Sequence, residues 1–361
     1  MNRKKNFFAG PSVLPVEVLE QIRDQIVDFK GAGLSIIEAS HRGGTFEDMY
    51  HECLALLREL MEIPEDYDIF FLGGGATLQF AMIPMNFLRP DTVADYIKSG
   101  AWANKAVSDA KKIGNVHLYY DGTDTNFTSL PDPKTVRPSE NSSYLYVCTN
   151  ETIGGIEWQD FPDTGDVPLI ADMSSDLLSR PVPVKRFAMI FGGVQKNLGP
   201  AGATLVILRK DMLERRNGNL TAYLDYGLHA KESGLYNTPP VFSIWGVKLV
   251  LDWIKQHGGA QGMADRARIK SSLIYNAIDQ SDNFYRSPVD VRYRSKMNIC
   301  FRLPTEELEA RFLEETKKAG MLGLKGHRSV GGLRASLYNS LPIEDVQSLA
   351  DLMKEFQRVN G

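Results

Sequence analysis

Three cysteines in 361 residues, Cys53, Cys148 and Cys300, are too few, too scattered and too odd in number to frame a fold with disulfides. Each lies in an apolar pattern and reads as a reduced core thiol. Long hydrophobic runs are also missing, since nothing approaches the roughly 18 continuous apolar residues of a membrane helix. The opening stretch MNRKKNFFAGPSVLPVEVLE starts basic, but Gly10-Pro11 and Pro15 interrupt its apolar part and Glu17 ends it too soon for a secretory signal. Nor is there a surplus of positive charge. Lys and Arg number 41 against 45 Asp and Glu, a formal net charge of −4, and the longest basic run is Arg3 to Lys5. That balance argues against gripping a nucleic-acid backbone. With 43% hydrophobic and 24% charged residues, disorder is not the default either. The expectation is a cytoplasmic globular protein with no nucleic-acid and no membrane partner.

What is present is an alternation of strand-like and helix-like segments from about residue 67, the pattern of a mainly parallel sheet wrapped by helices. YDIFFL predicts a strand, GGGA a turn, and TLQFAMIPMNFL a helix. VADYI and AWANKAVSDAKKIG repeat the pair, with Gly114 as the C-cap. VHLYY, YLYVCT, PLIAD, FAMIFG and ATLVILR complete seven short apolar runs of the kind buried on both faces. Two irregular excursions, DGTDTNFTSLPDPKTVRPSENSS and RRNGNLTAYLDYGLHAKESGLYNTPP, read as surface connections, and loops of that length are often functional. SIWGVKLVLDWIKQH ends at Gly258-Gly259, and AQGMADRARIKSSLIYNAIDQS leads into a second unit of strand MNICFRL, helix TEELEARFLEETKKAG, strand GGLRASLY and helix IEDVQSLADLMKEFQRV. The division expected is a large α/β domain over 16–258 and a smaller α+β domain built from 1–15 and 259–361.

In open parallel sheets, ligands lie beyond the carboxyl ends of the strands, so the residues just after each strand were collected. They are Gly73-Gly74-Gly75-Ala76-Thr77, Trp102, Thr152, Asp172 and Gln195-Lys196. The glycine turn ahead of a helix is either a plain turn or a phosphate cradle of backbone N–H groups aided by the Thr77 hydroxyl. No Gly-Lys-Ser/Thr follows, so it is not a P-loop. Trp102 suits a core, or a stack on a flat heteroaromatic ring. Asp172 is either the N-cap of a following helix or the partner of a pyridinium nitrogen. Lys196, in FGGVQKNLGPAG, is either a solvated turn residue or an amine that forms an imine with a carbonyl. Phosphate cradle, stacking ring, carboxylate and solitary lysine together match the needs of pyridoxal 5'-phosphate (PLP).

At this point the chain resembles the phosphoserine aminotransferase family, class-V aminotransferases of PLP fold type I. The resemblance runs through NFFAGPSVLP, SHRGGTFEDMY, FLGGGATLQF, SGAWANKA, TNETIGGIEW, ADMSSD, GGVQKNLGPAG, YNTPPVFSIW and GHRSVGGLRASLYN, and so covers essentially the whole length. It implies a PLP-dependent transferase fold whose large domain holds a mainly parallel seven-stranded sheet beside a smaller α+β domain. It further implies that Lys196 bears the cofactor covalently, Asp172 pairs with the pyridine nitrogen, Trp102 stacks on the ring and Thr152 bonds the 3'-oxygen. Ala76, Thr77 and Gln195 would hold the phosphate, joined by Asn237 and Thr238 of the neighbouring subunit in a homodimer with active sites at the interface. No metal is implied.

On the substrate side, the plainer reading of each arginine taken alone is a surface ion pair, which two His-Arg pairs in glycine-flanked loops make less comfortable. The resemblance gives Arg334 the α-carboxylate, and gives His41, Arg42, His327 and Arg328 the phosphate of 3-phosphohydroxypyruvate or the distal carboxylate of L-glutamate. Thr77 departs from those members that carry an arginine at its position. The activity implied is amino transfer in serine biosynthesis, with a related 4-phosphohydroxythreonine step of pyridoxine biosynthesis in some members. Other readings are an alanine:glyoxylate or serine:pyruvate aminotransferase, which leaves two His-Arg pairs unexplained; a cysteine desulfurase, which needs a mobile cysteine that strand-borne Cys300 is not; and a PLP-binding regulator, which needs no carboxylate clamp.

Overall fold

The computed structural model describes residues 3–361. Its centre is a seven-stranded sheet: β1 (Tyr67–Leu72), β2 (Val93–Lys98), β3 (Val116–Asp121), β4 (Ser142–Cys148), β5 (Leu169–Asp172), β6 (Met189–Gly193) and β7 (Thr204–Arg209). The spatial order is β1-β7-β6-β5-β4-β2-β3, parallel except that β7 runs antiparallel to both its neighbours. Every predicted strand is present.

Alternation along the strands explains the short unbroken apolar runs. Tyr144 and Tyr146 of β4, Ile170 of β5 and Val206 and Leu208 of β7 enter one core, while Leu145, Val147, Leu169, Ala171, Leu205 and Ile207 enter the other. Helices cover both faces. α3 (Gly75–Phe87) and α4 (Ala101–Ile113) pack together on one side, and α2 (Gly44–Met61) lies against α6 (Val241–Gln256) on the other, with α1 (Val16–Gln25) beside α6. The pattern reading had not assigned α1 and α2. α5 is a short helix, Tyr226–Lys231, inside the second excursion.

α7 (Gly259–Asp279) leads to a third core, formed by β8 (Asn298–Phe301) antiparallel to β9 (Leu333–Ser336), α8 (Glu306–Lys318) and α9 (Ile343–Asn360). Phe7 and Val13 join it, and Lys5–Asn6 pairs in parallel with Met321–Leu322, so the two ends of the chain share one core. Thr305 caps α8, its hydroxyl accepting from Leu308 N at 3.3 Å. Gly114 does close α4, but with extended backbone and not the left-handed form typical of a glycine cap. A Cβ there would lie 2.8 Å from Leu88 Cδ2, so a side chain would have to displace the buried Leu88.

Candidate active site

The carboxyl ends of β1, β4, β5 and β6 converge on a cavity of about 280 Å³, into which the N-terminal ends of α3 and α4 also open. Ala76, Thr77, Trp102, Thr152, Asp172, Gln195, Lys196, His327 and Arg334 all line it. His41, Arg42, Asn237, Thr238 and Arg328 do not; Arg42, Asn237, Thr238 and Arg328 are exposed.

Lys196 is buried, which removes the solvated-turn reading. Its Nζ donates to Thr152 Oγ1 at 2.6 Å and lies 5.5 Å from the centre of the Trp102 ring. Burial pushes the amine below its usual value, against the opposing pull of the Asp172 carboxylate. A tight turn after β6 places it, with Leu198 N and Gly199 N both donating to Val194 O at 3.1 and 2.9 Å. A Cβ at Gly193 would sit 2.6 Å from Gln195 Oε1, so a side chain there would push the Gln195 amide aside.

Asp172 ends β5 in register with Cys148 of β4. No helix follows it, so the N-cap alternative fails: Oδ1 accepts from Ser174 N at 2.9 Å in a turn. Burial raises its carboxyl, with Ser174 and then Lys196 pulling the other way. A buried carboxylate whose cationic neighbour is itself a depressed amine is primed for another positive group in the cavity.

The glycine turn enters α3 with Gly74 and Gly75 at φ 85° and 65°, and no side chain caps the helix among the described residues. Its first N–H groups are therefore available to an anion beside the Thr77 hydroxyl. A carboxylate, an uncapped helix terminus and an indole lining one cavity fit PLP: Asp172 would meet the ring nitrogen, Trp102 the ring face and Ala76, Thr77 and Gln195 the phosphate.

Several residues here were not singled out from sequence. Ala9 and Gly10 of the N-terminal arm line the cavity, and Ser12 clasps the lysine turn through Ser12 N to Gln195 O at 3.0 Å and its hydroxyl to Lys196 O. Tyr223, in the second excursion, accepts from Gly73 N through its hydroxyl at 3.1 Å. Glu151 is fully buried at the start of α4, where burial pushes its carboxyl up to about 7 against two backbone donors. Only a carboxylate next to a buried strand, the logic used for Asp172, could have flagged it.

The mouth is cationic. Arg334 Nη1 donates to Thr152 O at 3.1 Å while its Nε has no partner among the described residues. His327 is depressed by partial burial, then by Arg334, Arg328 and Lys105, an arrangement that favours anions. Cys300 contacts Ile153 O at 3.3 Å from within β8, and burial raises its thiol to about 12, so it is no nucleophile. Asp95, His117 and Ser139 also cluster, but Ser139 Oγ approaches His117 Nδ1 (3.4 Å), the same nitrogen that faces Asp95 (2.6 Å), so no relay through the ring is possible.

The family Aminotransferase class-V matches residues 5–349. A phosphoserine aminotransferase of Halalkalibacterium halodurans is 48% identical over 360 residues, 100% of each chain. Among solved structures, the phosphoserine aminotransferase from Bacillus circulans subsp. alkalophilus aligns with TM-score 0.98 and 48% identity over 100% of both chains. The PLP-bound phosphoserine aminotransferase from Trichomonas vaginalis gives 0.89 at 37% identity, over 98% of this chain and 100% of that one. Identity of this depth, sustained from end to end, means that the chain belongs to the phosphoserine aminotransferase family of class-V aminotransferases.

Proposed function

We propose that the chain transfers the amino group of L-glutamate to 3-phosphohydroxypyruvate, giving O-phospho-L-serine and 2-oxoglutarate in serine biosynthesis, with PLP as cofactor. The observation that carries the reading is the buried Lys196 amine, 2.6 Å from Thr152 Oγ1 and in one cavity with Asp172.

PLP, when bound, supplies an electron sink that makes the α-proton of an amino acid joined to it removable. The rest is the work of this chain. Asp172 keeps the ring nitrogen protonated, because a buried anion favours a positive partner. Trp102 covers the ring and excludes water from one side. Lys196 would hold the cofactor and, as a free amine, take the proton from the substrate α-carbon; burial lowers its hold on a proton, the direction a base requires. Thr152 orients that amine, and Arg334 receives the α-carboxylate through its planar fork. His327, with Arg328 and with His41 and Arg42, takes the distal group, phosphate in one half-reaction and carboxylate in the other.

The reading places two subunits together, so that Asn237 and Thr238 complete the partner's phosphate site. Exposed apolar side chains support it: Val27 is 81% exposed, Ile37 52%, Tyr236 41% and Phe242 39%. Phe242 meets Trp245 edge to face, and Trp245 meets Phe29 in the same way. We place the enzyme in the cytoplasm, where three unpaired thiols stay reduced.

The test is a pair of half-reactions followed by absorbance. Glutamate alone should bleach the long-wavelength band of the purified holoenzyme, and 3-phosphohydroxypyruvate should restore it. Restoration by phosphate-free keto acids alone would overturn the substrate assignment.

A further inference from the structure

We infer that Glu151 is a positioning residue of the cofactor site: by holding the first turn of α4, its carboxylate fixes where the Trp102 ring lies. Oε2 accepts from Trp102 N at 3.0 Å and Oε1 from Ala103 N at 2.8 Å, so both oxygens are committed to the backbone of this one turn. The side chain is fully buried. Gly100 makes room for it, since a Cβ there would meet Glu151 Cδ at 2.5 Å. Trp102 has no polar tether of its own, because its indole Nε1 is buried without a partner among the described residues. The ring therefore inherits its place from the helix end, and the helix end cannot turn without leaving buried donors and a buried carboxylate unpaired. At its other side Glu151 is anchored by Gly155 N, which donates to its carbonyl at 2.8 Å, and by pairing with Ile156 across a short hairpin. The next residue, Thr152, accepts from Lys196 and, through its carbonyl, from Arg334. One dipeptide thus aligns the ring wall with the reactive amine.

The inference rests on Trp102 lying against PLP, and a double-mutant cycle on the apoenzyme separates the two ideas. Glu151→Gln keeps one acceptor and turns an NH2 towards the other backbone donor. PLP affinity should weaken roughly tenfold or more, with an altered circular-dichroism band of the bound cofactor. In a Trp102→Ala background the same change should alter affinity by less than about twofold. Gly100→Ala, which displaces the carboxylate but keeps its charge, is the second variant and should behave alike. Affinity and dichroism unchanged in both variants, or losses that simply multiply with that of Trp102→Ala, would overturn the role. Trp102→Ala binding PLP with wild-type affinity and dichroism would overturn the ring assignment along with it.

Discussion

The amine of Lys196 and the hydroxyl of Thr152, 44 residues apart in sequence, meet at 2.6 Å inside a buried cavity. The family resemblance gives that hydroxyl a second partner, the cofactor 3'-oxygen, so one oxygen would serve both the resting amine and the bound cofactor. Thr152→Val keeps the shape and removes the acceptor. The bond that matters to PLP binding is the one to its 3'-oxygen, and losing a hydrogen bond to such a charged group is an effect of about 1.5–3 kcal/mol. Spectrophotometric titration of the apoenzyme with PLP should show at least tenfold weaker binding, and unchanged affinity would remove Thr152 from the site.

Lys196→Ala should lower kcat by about 10²–10⁴ or more and abolish borohydride-stable labelling by PLP, checked by mass spectrometry. It should also change how stability depends on pH. Burial holds the folded amine below its ordinary 10.5, so between the folded value and 10.5 the unfolded chain binds the extra proton. Wild-type apoenzyme therefore gains stability as pH rises through that window, and the variant should lack this gain in melting curves.

Asp176 behaves in the opposite sense. Burial raises its carboxyl to about 7 from 3.8, outweighing Arg180 and the bond from Thr149 Oγ1 at 2.6 Å. Between those values the native state holds the extra proton, so the contribution is complete below 3.8 and lost as pH rises through about 7. Asp176→Asn should flatten that decline, gaining roughly 1–3 kcal/mol on wild type at about pH 8. Denaturant unfolding on both sides of neutrality measures it, and parallel pH profiles would contradict it.

Arg334→Ala should cut kcat/KM for glutamate by about 10²–10³, mainly through KM, while the cofactor absorbance persists. Arg334→Lys should recover only part, because an ammonium lacks the fork that pairs with both carboxylate oxygens. Steady-state kinetics with both substrates checks this; full recovery by lysine would argue for simple charge attraction.

The paired variant Val27→Asp, Ile37→Asp places charge at two exposed apolar positions. Sedimentation should give the mass of two chains for wild type and of one for the variant. PLP binding should fall with dissociation, since Asn237 and Thr238 would leave the neighbouring site.

Some of this was legible without coordinates. Apolar runs of strand length separated by helical periodicity were enough for the seven-stranded sheet, because burial on both faces writes itself into each strand locally. The residues following those strands, Thr77, Trp102, Thr152, Asp172 and Lys196, are reached by the same logic and share one cavity, and resemblance to one family suggests the roles proposed for them. Local pattern did not extend to the first two helices, nor to the turn at Asp172, where a helix cap had been the competing reading.

The sequence by itself determined the order of elements, the glycine turns and the identities of the chemical groups, all properties of neighbours along the chain. Only the tertiary structure decided which groups share a cavity: that Gly10 and Ser12 lie against the lysine turn, that Tyr223 reaches Gly73, and that Glu151 holds the helix end beneath Trp102. These contacts join segments far apart in the chain. Their physical cause is the demand of buried polar groups for partners, which leaves no periodic mark in the residues that meet it.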